Sequence, residues 1–270
     1  MLSSSRALLL SRRLDRWREV PRCVTEFEQP SSLITGYLGL STLGMPTIAR
    51  HRSGLRLHVN EFGDLEAVWQ IFLRRVYDVR PTGRVIVDAG GNVGMFSLYA
   101  SWRAPQSRIL AIEPFPSSVQ RLRSHLEENK LEQRVSVLDR ALTATAGEVL
   151  MPLTSPSSQQ KPVLKGSAEG KAVLRLASVP LADAVDALPD RIDLLKMDIE
   201  GSEFEVLINA PHATLRRFAR INVEHHEPPA GTRYTKQGLI EHLRNAGFTV
   251  RQHAGDRLGD YGILHCQQNQ

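Results

Sequence analysis

The chain has 270 residues, 41% of them hydrophobic and 23% charged, with a formal net charge of +5. That length suits one large domain with a small appendage, and the mixed charge with ordinary apolar content excludes general disorder. No run approaches the roughly 18 apolar residues of a membrane span, and Ala7 to Leu10 is too short for a secretory core. Cys23 and Cys266 cannot make a disulfide scaffold or a zinc knuckle, so a reducing, cytoplasmic setting is expected. The charge is also local. Residues 1–60 hold nine arginines against four acids, and the other 210 residues balance 25 basic against 25 acidic side chains. With aromatics at 6%, there is neither a basic groove nor a stacking platform, and no nucleic-acid partner is expected.

In chain order, Ser3 to Arg18 has the spacing of an amphipathic helix. Leu10, Leu14 and Trp17 share one face and arginines the other, a pattern suited to a peripheral contact with an anionic membrane surface (the inner one, in a bacterium) or to docking on the domain. Pro21 and Pro30 are expected to close it. Thr47 to Val59 alternates around Ser53-Gly54 as a hairpin, which completes an extension over residues 1–60, with the main domain over 61–270. Asp64 to Tyr77 reads as a helix. From Arg84, short apolar strands alternate with helices: Val85 to Val87, a helix through Tyr99, Ile109 to Ile112, a helix Ser117 to Asn129 with Ser117 and Gln120 at capping-box spacing, and Val135 to Leu138. Met151 to Arg175 lacks periodicity and reads as a loop or ragged hairpin. Strands at Asp193 to Met197, Ile221 to Val223, Phe248 to Arg251 and Gly262 to Cys266 follow, with helices opening near Ser202 and over Gln237 to Asn245. Such alternation predicts a doubly wound α/β domain.

In that class the ligand crevice lies at the carboxyl ends of the strands. The first strand ends in Asp88-Ala-Gly90-Gly91-Asn92-Val-Gly94, an acid followed by a glycine turn that opens a helix. Gly90 and Gly91 are expected to let a ligand approach the backbone. Asn92 stands where a nicotinamide fingerprint needs its second glycine, and no Gly-Lys-Ser/Thr follows for a phosphate loop. A carboxylate at Asp88 suits an ammonium-bearing ligand and repels a pyrophosphate, which points to S-adenosylmethionine. Glu113, ending the second strand, is placed to accept from two vicinal ribose hydroxyls. Asp139, ending the third, is a weaker candidate for the adenine edge. Lys196-Met-Asp198-Ile-Glu200-Gly201-Ser202-Glu203 ends the fourth strand. There Ser202 and Glu205 have capping-box spacing and Glu203 suits a helix N-terminus, but Asp198 and Glu200 have no such role. The fifth ends in Glu224-His225-His226-Glu227; consecutive residues on an extended strand alternate faces, so at most two could meet one ion, and no metal is expected.

On these residues the chain resembles the FkbM family of S-adenosylmethionine-dependent methyltransferases, from about Phe62 to Phe248. The resemblance is carried by Asp88 to Gly94, Glu113-Pro114, Gly147-Glu148, Lys196 to Glu203, and Glu224 with His226. The Asp-Ile-Glu-Gly block is the distinctive part; Gly91 and Ser202 each stand where the family commonly has alanine. The resemblance implies a class I, Rossmann-like fold with a mostly parallel seven-stranded sheet whose last strand is antiparallel. It also implies O-methylation of a sugar, glycolipid, polysaccharide or polyketide-like hydroxyl on a small-molecule, glycan or lipid-linked acceptor. Asp198 is the first choice of general base, with Glu224 or His226 second. A nicotinamide oxidoreductase and a cofactor-binding module without catalysis are the alternatives, the first opposed by the failed fingerprint and the second by the acids at four strand ends.

Overall fold

The computed structural model describes residues 14–39, 44–152, 173–226, 232, 234–253 and 262–269. The chain divides into two compact units, Met1–Val76 and Tyr77–Gln270.

In the first unit, a 3₁₀ turn (Leu14–Glu19) leads into α1 (Val20–Glu26) and α2 (Pro30–Tyr37). Pro21 and Pro30 lie in the first turns of these helices rather than closing the segment before them. A proline is tolerated there because the N–H it lacks would have had no intrahelical partner. Most of the predicted helix Ser3 to Arg18 lies outside the described residues; Trp17 is 46% exposed. Strands β1 (Thr47–Arg50) and β2 (Arg56–Val59) form the expected hairpin, with Gly54 at φ +97° in its turn. Next comes α3 (Phe62–Val68), which continues as a π-helical stretch, Trp69–Arg74. Trp69 stacks on Tyr37 at 4.0 Å between ring centroids, and Phe72 meets Phe27 edge-on. These contacts keep the helix with the extension, so the division falls at Val76 and not at residue 60.

The second unit is built on β3 (Val85–Ala89), α4 (Met95–Arg103), β4 (Arg108–Ile112), α5 (Pro116–Glu128) and β5 (Val135–Leu138). Short strands β6 (Ala141–Leu142), β7 (Gly147–Pro152) and β8 (Val173–Val179) and the helical turn α6 (Leu181–Ala184) intervene. The main sheet resumes with β9 (Leu194–Met197), α7 (Glu203–Asn209), α8 (His212–Leu215) and β10 (Arg220–His225). It closes with α9 (Lys236–Asn245), β11 (Phe248–Gln252) and β12 (Gly262–Gln268). The seven strands run in the order β11-β12-β10-β9-β3-β4-β5, and only β12 is antiparallel to its neighbours. This is the doubly wound α/β sheet that the resemblance implies. Its core joins Val87, Leu195, Met197, Ile221 and Val223 on the strands to Phe204, Leu207, Leu239 and Leu243 on the helices.

Two local expectations change. The described ends of the segment expected as a loop or ragged hairpin, Met151–Pro152 and Val173–Arg175, belong to a separate three-stranded sheet, β6-β8-β7, in which β7 and β8 pair antiparallel from Gly147↔Ser178 to Pro152↔Val173. Met151 and Leu176 close a small apolar cluster with Phe115 there, while residues 153–172 lie outside the described ones. And α5 begins at Pro116, so Ser117 sits inside its first turn and makes no capping box. Among the described residues, no helix is long and apolar enough to cross a membrane.

Candidate active site

The sheet order reverses beside β3, whose neighbours are β4 on one side and β9 on the other. A crevice at that switch point is where open α/β sheets take ligands. A cleft of about 690 Å³, its open mouth included, lies there. It is lined by Gly90 and Asn92 after β3, Glu113 and Phe115 after β4, Leu142 and Met151 from the small sheet, and Asp198 and Glu200 after β9.

The glycine turn is held by backbone. The N–H groups of Gly90 and Gly91 both donate to the Ile112 carbonyl at 2.9 Å. Gly90 has φ +77°, and a Cβ on it would lie 1.7 Å from the Asp198 carbonyl oxygen. Gly90 lines the cleft, while the space a Cβ would take there is filled by the Asp198 backbone. A Cβ at Gly91 would press on Leu122 and Ala111, and one at Gly94 on Leu122, so the room they keep is for the protein's own chain. Asn92 adopts φ +45°, a conformation asparagine tolerates better than most residues. Its N–H donates to Glu113 Oε2 at 2.8 Å, and the Phe115 N–H donates to Oε1 at 3.0 Å. Burial pushes the Glu113 carboxyl up to about 7, against the pull of those two donors.

Asp88 is wholly buried and does not line the cleft. The ammonium it meets is the protein's own: Lys196 Nζ lies 3.3 Å from Oδ1, while Ser97 Oγ donates to Oδ2 at 2.7 Å. Lys196 also donates to the carbonyls of Gly90, at 2.8 Å, and Ala89, at 3.4 Å, and stands 4.0 Å from Asp198 Oδ2. Burial alone would lower its pKa, but the carboxylates of Asp88 and Asp198 outweigh burial, raise it and keep the ammonium charged. The expectation that Asp88 takes a ligand's ammonium directly is thus corrected: Lys196 already occupies that position. Sequence reasoning passed over this lysine, although a lone charge on the otherwise apolar Leu194–Met197 strand was a visible signal.

The acidic side of the cleft is organised by Glu203. Its wholly buried carboxylate accepts from the N–H groups of Ile199, at 2.9 Å, and Gly201, at 2.9 and 3.1 Å. It also lies 3.1 Å from His226 Nδ1, and so pins the loop after β9 to the end of β10. Ser202, by contrast, makes no side-chain cap, and the capping box with Glu205 does not form; the Glu205 carboxylate accepts from the Ala144 N–H instead. His226 Nε2 lies 3.3 Å from Glu200, which holds φ +55° ahead of Gly201 at φ +106°. Burial alone would lower the pKa of this ring, but Glu203, Asp198 and Glu200 raise it to about 9. A ring so held favours its protonated form. Glu224 accepts from the Tyr77 hydroxyl at 2.6 Å, and burial together with the charge of Asp198 lifts it to about 7.

Asp139 stands apart. It is 54% exposed and salt-bridged to Arg123 and Arg140 in a groove that adjoins the cleft through Pro114 and Arg140, and it is not itself among the cleft's lining residues. One more grouping escaped the sequence. Asp198, Glu200 and His226 bring one ligand atom each within 4.8 Å of one another. The argument from strand alternation concerned only neighbours on β10, whereas two of these three come from the loop after β9.

A sequence model of the methyltransferase FkbM domain matches residues 88–250, more than half of the chain. The chain belongs to the FkbM methyltransferase family. It is 33% identical over 212 residues to the methyltransferase sdnD of Sordaria araneosa, covering 67% of this chain and 80% of that one. It is 28% identical over 206 residues to the 31-O-demethyl-FK506 methyltransferase FkbM of Streptomyces tacrolimicus, covering 66% of this chain and 77% of that protein. A 29% match over 78% of this chain spans only 12% of the AMB antimetabolite synthetase AmbE of Pseudomonas aeruginosa. Among solved structures, the methyltransferase FkbM of Methylobacillus flagellatus KT aligns with a TM-score of 0.47 at 14% identity, over 77% of this chain and 55% of that one. Family membership removes the nicotinamide oxidoreductase alternative.

Proposed function

We propose that this FkbM methyltransferase moves the methyl group of S-adenosylmethionine to a hydroxyl oxygen of a small-molecule, glycan or lipid-linked acceptor. The observation that carries the reading is the Glu113 carboxylate at the cleft wall. Each of its oxygens takes one backbone N–H, which leaves acceptor capacity on both for a pair of vicinal ribose hydroxyls. Phe115, Ile112, Leu142 and Met151 offer the apolar wall that an adenine ring needs. S-adenosylmethionine supplies a methyl group already activated by its sulfonium.

The chain's own work is then positioning and proton handling. Asp198 is a carboxylate on the cleft wall, and burial together with the charge of Asp198 lifts Glu224 to about 7. The pair disposes of the hydroxyl proton. His226, a cation between two carboxylates, positions the loop that carries Asp198. The choice of oxygen as acceptor atom draws support from the name of the Streptomyces tacrolimicus relative.

The test is calorimetry with S-adenosylmethionine, followed by transfer of labelled methyl to a panel of hydroxylated sugars, lipid-linked sugars and polyketide alcohols. The reading expects binding and at least one labelled ether; binding with label only on nitrogen or carbon acceptors would sink the O-methylation claim. Bound cofactor without turnover on any acceptor would favour the non-catalytic module. With an acceptor found, Asp198→Asn should lower turnover by about 10²–10⁴-fold and leave cofactor affinity nearly unchanged.

A further inference from the structure

His226 is almost wholly buried, and the partner of its Nδ1 is the equally buried Glu203, 3.1 Å away. An imidazole whose Nδ1 proton is given to a buried carboxylate has its Nε2 turned outward at a fixed angle. That is the arrangement a carboxylate behind the ring imposes on metal-bound histidines. Nε2 here faces Glu200 Oε2 at 3.3 Å, and Asp198 completes a set of three ligand atoms within 4.8 Å of one another. The same Glu203 carboxylate also takes the N–H groups of Ile199 and Gly201, so one buried group fixes both segments that supply the set. Both acidic members line the cleft, so a cation bound among the three has positions open to it.

We propose that Asp198, Glu200 and His226 hold a first-row divalent cation whose open positions bind the acceptor's oxygen. Two carboxylate oxygens and one imidazole nitrogen suit ions such as Mn²⁺ or Zn²⁺ better than the all-oxygen cages of calcium. A hydroxyl bound to the cation loses its proton more readily, as bound water does at such ions. That proton passes to the solvent at the open cleft; the oxygen's freed pair forms one O–C bond while one S–C bond breaks and leaves its pair on sulfur. The proposal rests on the methyl-transfer reading above, and Asp198 then acts as a ligand rather than as a base.

The test needs no acceptor and no turnover. Mn²⁺ is titrated into the full chain and the free-ion signal is followed by electron paramagnetic resonance. Thermal unfolding without metal is run alongside on each protein as a check that the variants are folded, and calorimetry with S-adenosylmethionine on the wild type. One Mn²⁺ per chain is expected, with the dissociation constant raised at least about tenfold in Glu200→Gln and in His226→Gln. Glu200 is one-third exposed, which makes its variant the less disruptive of the two. Wild-type protein that takes up no Mn²⁺ at about millimolar concentration, the weak limit of such sites, would overturn the proposal. So would uptake equal in wild type and both variants. Failure of S-adenosylmethionine binding alongside intact Mn²⁺ uptake would instead remove the function proposed above and leave the cation site standing.

Discussion

The two sides of the cleft are held by different forces. On the side of β3 and β4, the Gly90–Gly94 turn and Glu113 are fixed by backbone: two N–H groups on the Ile112 carbonyl, two more on one carboxylate, and left-handed residues where the chain must bend. On the side of β9 and β10, position depends on charge. Lys196 is shared between Asp88, Asp198 and two carbonyls, and Glu203 ties His226 to the loop after β9. Backbone hydrogen bonds make the first side insensitive to pH and to most side-chain changes, apart from Glu113 itself. The second is a network in which removing one member leaves another buried and uncompensated.

That contrast can be broken from either side. The largest effect belongs to Gly90→Ala, because its Cβ would lie 1.7 Å from a backbone oxygen that cannot turn away, and its φ of +77° is strained for alanine. A loss above about 4 kcal/mol in denaturant unfolding is expected, since backbone itself must shift. A cost under 1 kcal/mol would mean that the turn and β9 are not locked together. Next comes Lys196→Met, which keeps the apolar stem but leaves Asp88 buried without its ammonium. About 3–5 kcal/mol should be lost, as for removal of one partner of a buried pair. Recovery of most of that stability in Lys196→Met with Asp88→Asn would confirm that the stranded charge is the cause. The smallest effect is expected at Asn92→Gly. Glycine accepts a φ of +45° freely and keeps the N–H that reaches Glu113, so stability should change by less than about 1 kcal/mol. A larger loss would give the Asn92 side chain a role that the backbone account does not assign it.

The same division governs how much could be read in advance. Alternating apolar strands and helices announced the doubly wound sheet, because fully buried parallel strands leave short apolar runs. Asp88, Gly90, Glu113, Asp198 and Glu224 were each visible as residues at strand ends, where the fold puts its ligand. What each one touches was not visible. Gly90 lies at the cleft with the Asp198 backbone where its Cβ would be, and Asp88, which the sequence places as a ligand contact, is the partner of Lys196. Both contacts depend on the register between β3 and β9, where Asp88 pairs with Lys196 across 108 positions of chain. The grouping of Asp198 and Glu200 with His226 depends likewise on β10 lying beside β9. Asp139 shows the converse: its position at a strand end looked like that of Glu113, but it turns to surface arginines, and nothing local in sequence separates the two.

The central claim is that Glu113, ionised and held by two backbone donors, is the anchor for S-adenosylmethionine. Its carboxyl has its pKa near 7, so it is protonated below that value and offers its full set of acceptors only above it. Cofactor affinity should therefore rise with pH, by about tenfold between roughly pH 6 and pH 8, the gain expected when only the ionised form binds. Calorimetry of S-adenosylmethionine on wild type and on Glu113→Gln at those two pH values measures this directly. The account predicts that the variant loses about 1.5–3 kcal/mol of binding at the higher pH and shows a flat dependence across the range. Equal affinity in both proteins, or the same pH dependence in the variant, would contradict it.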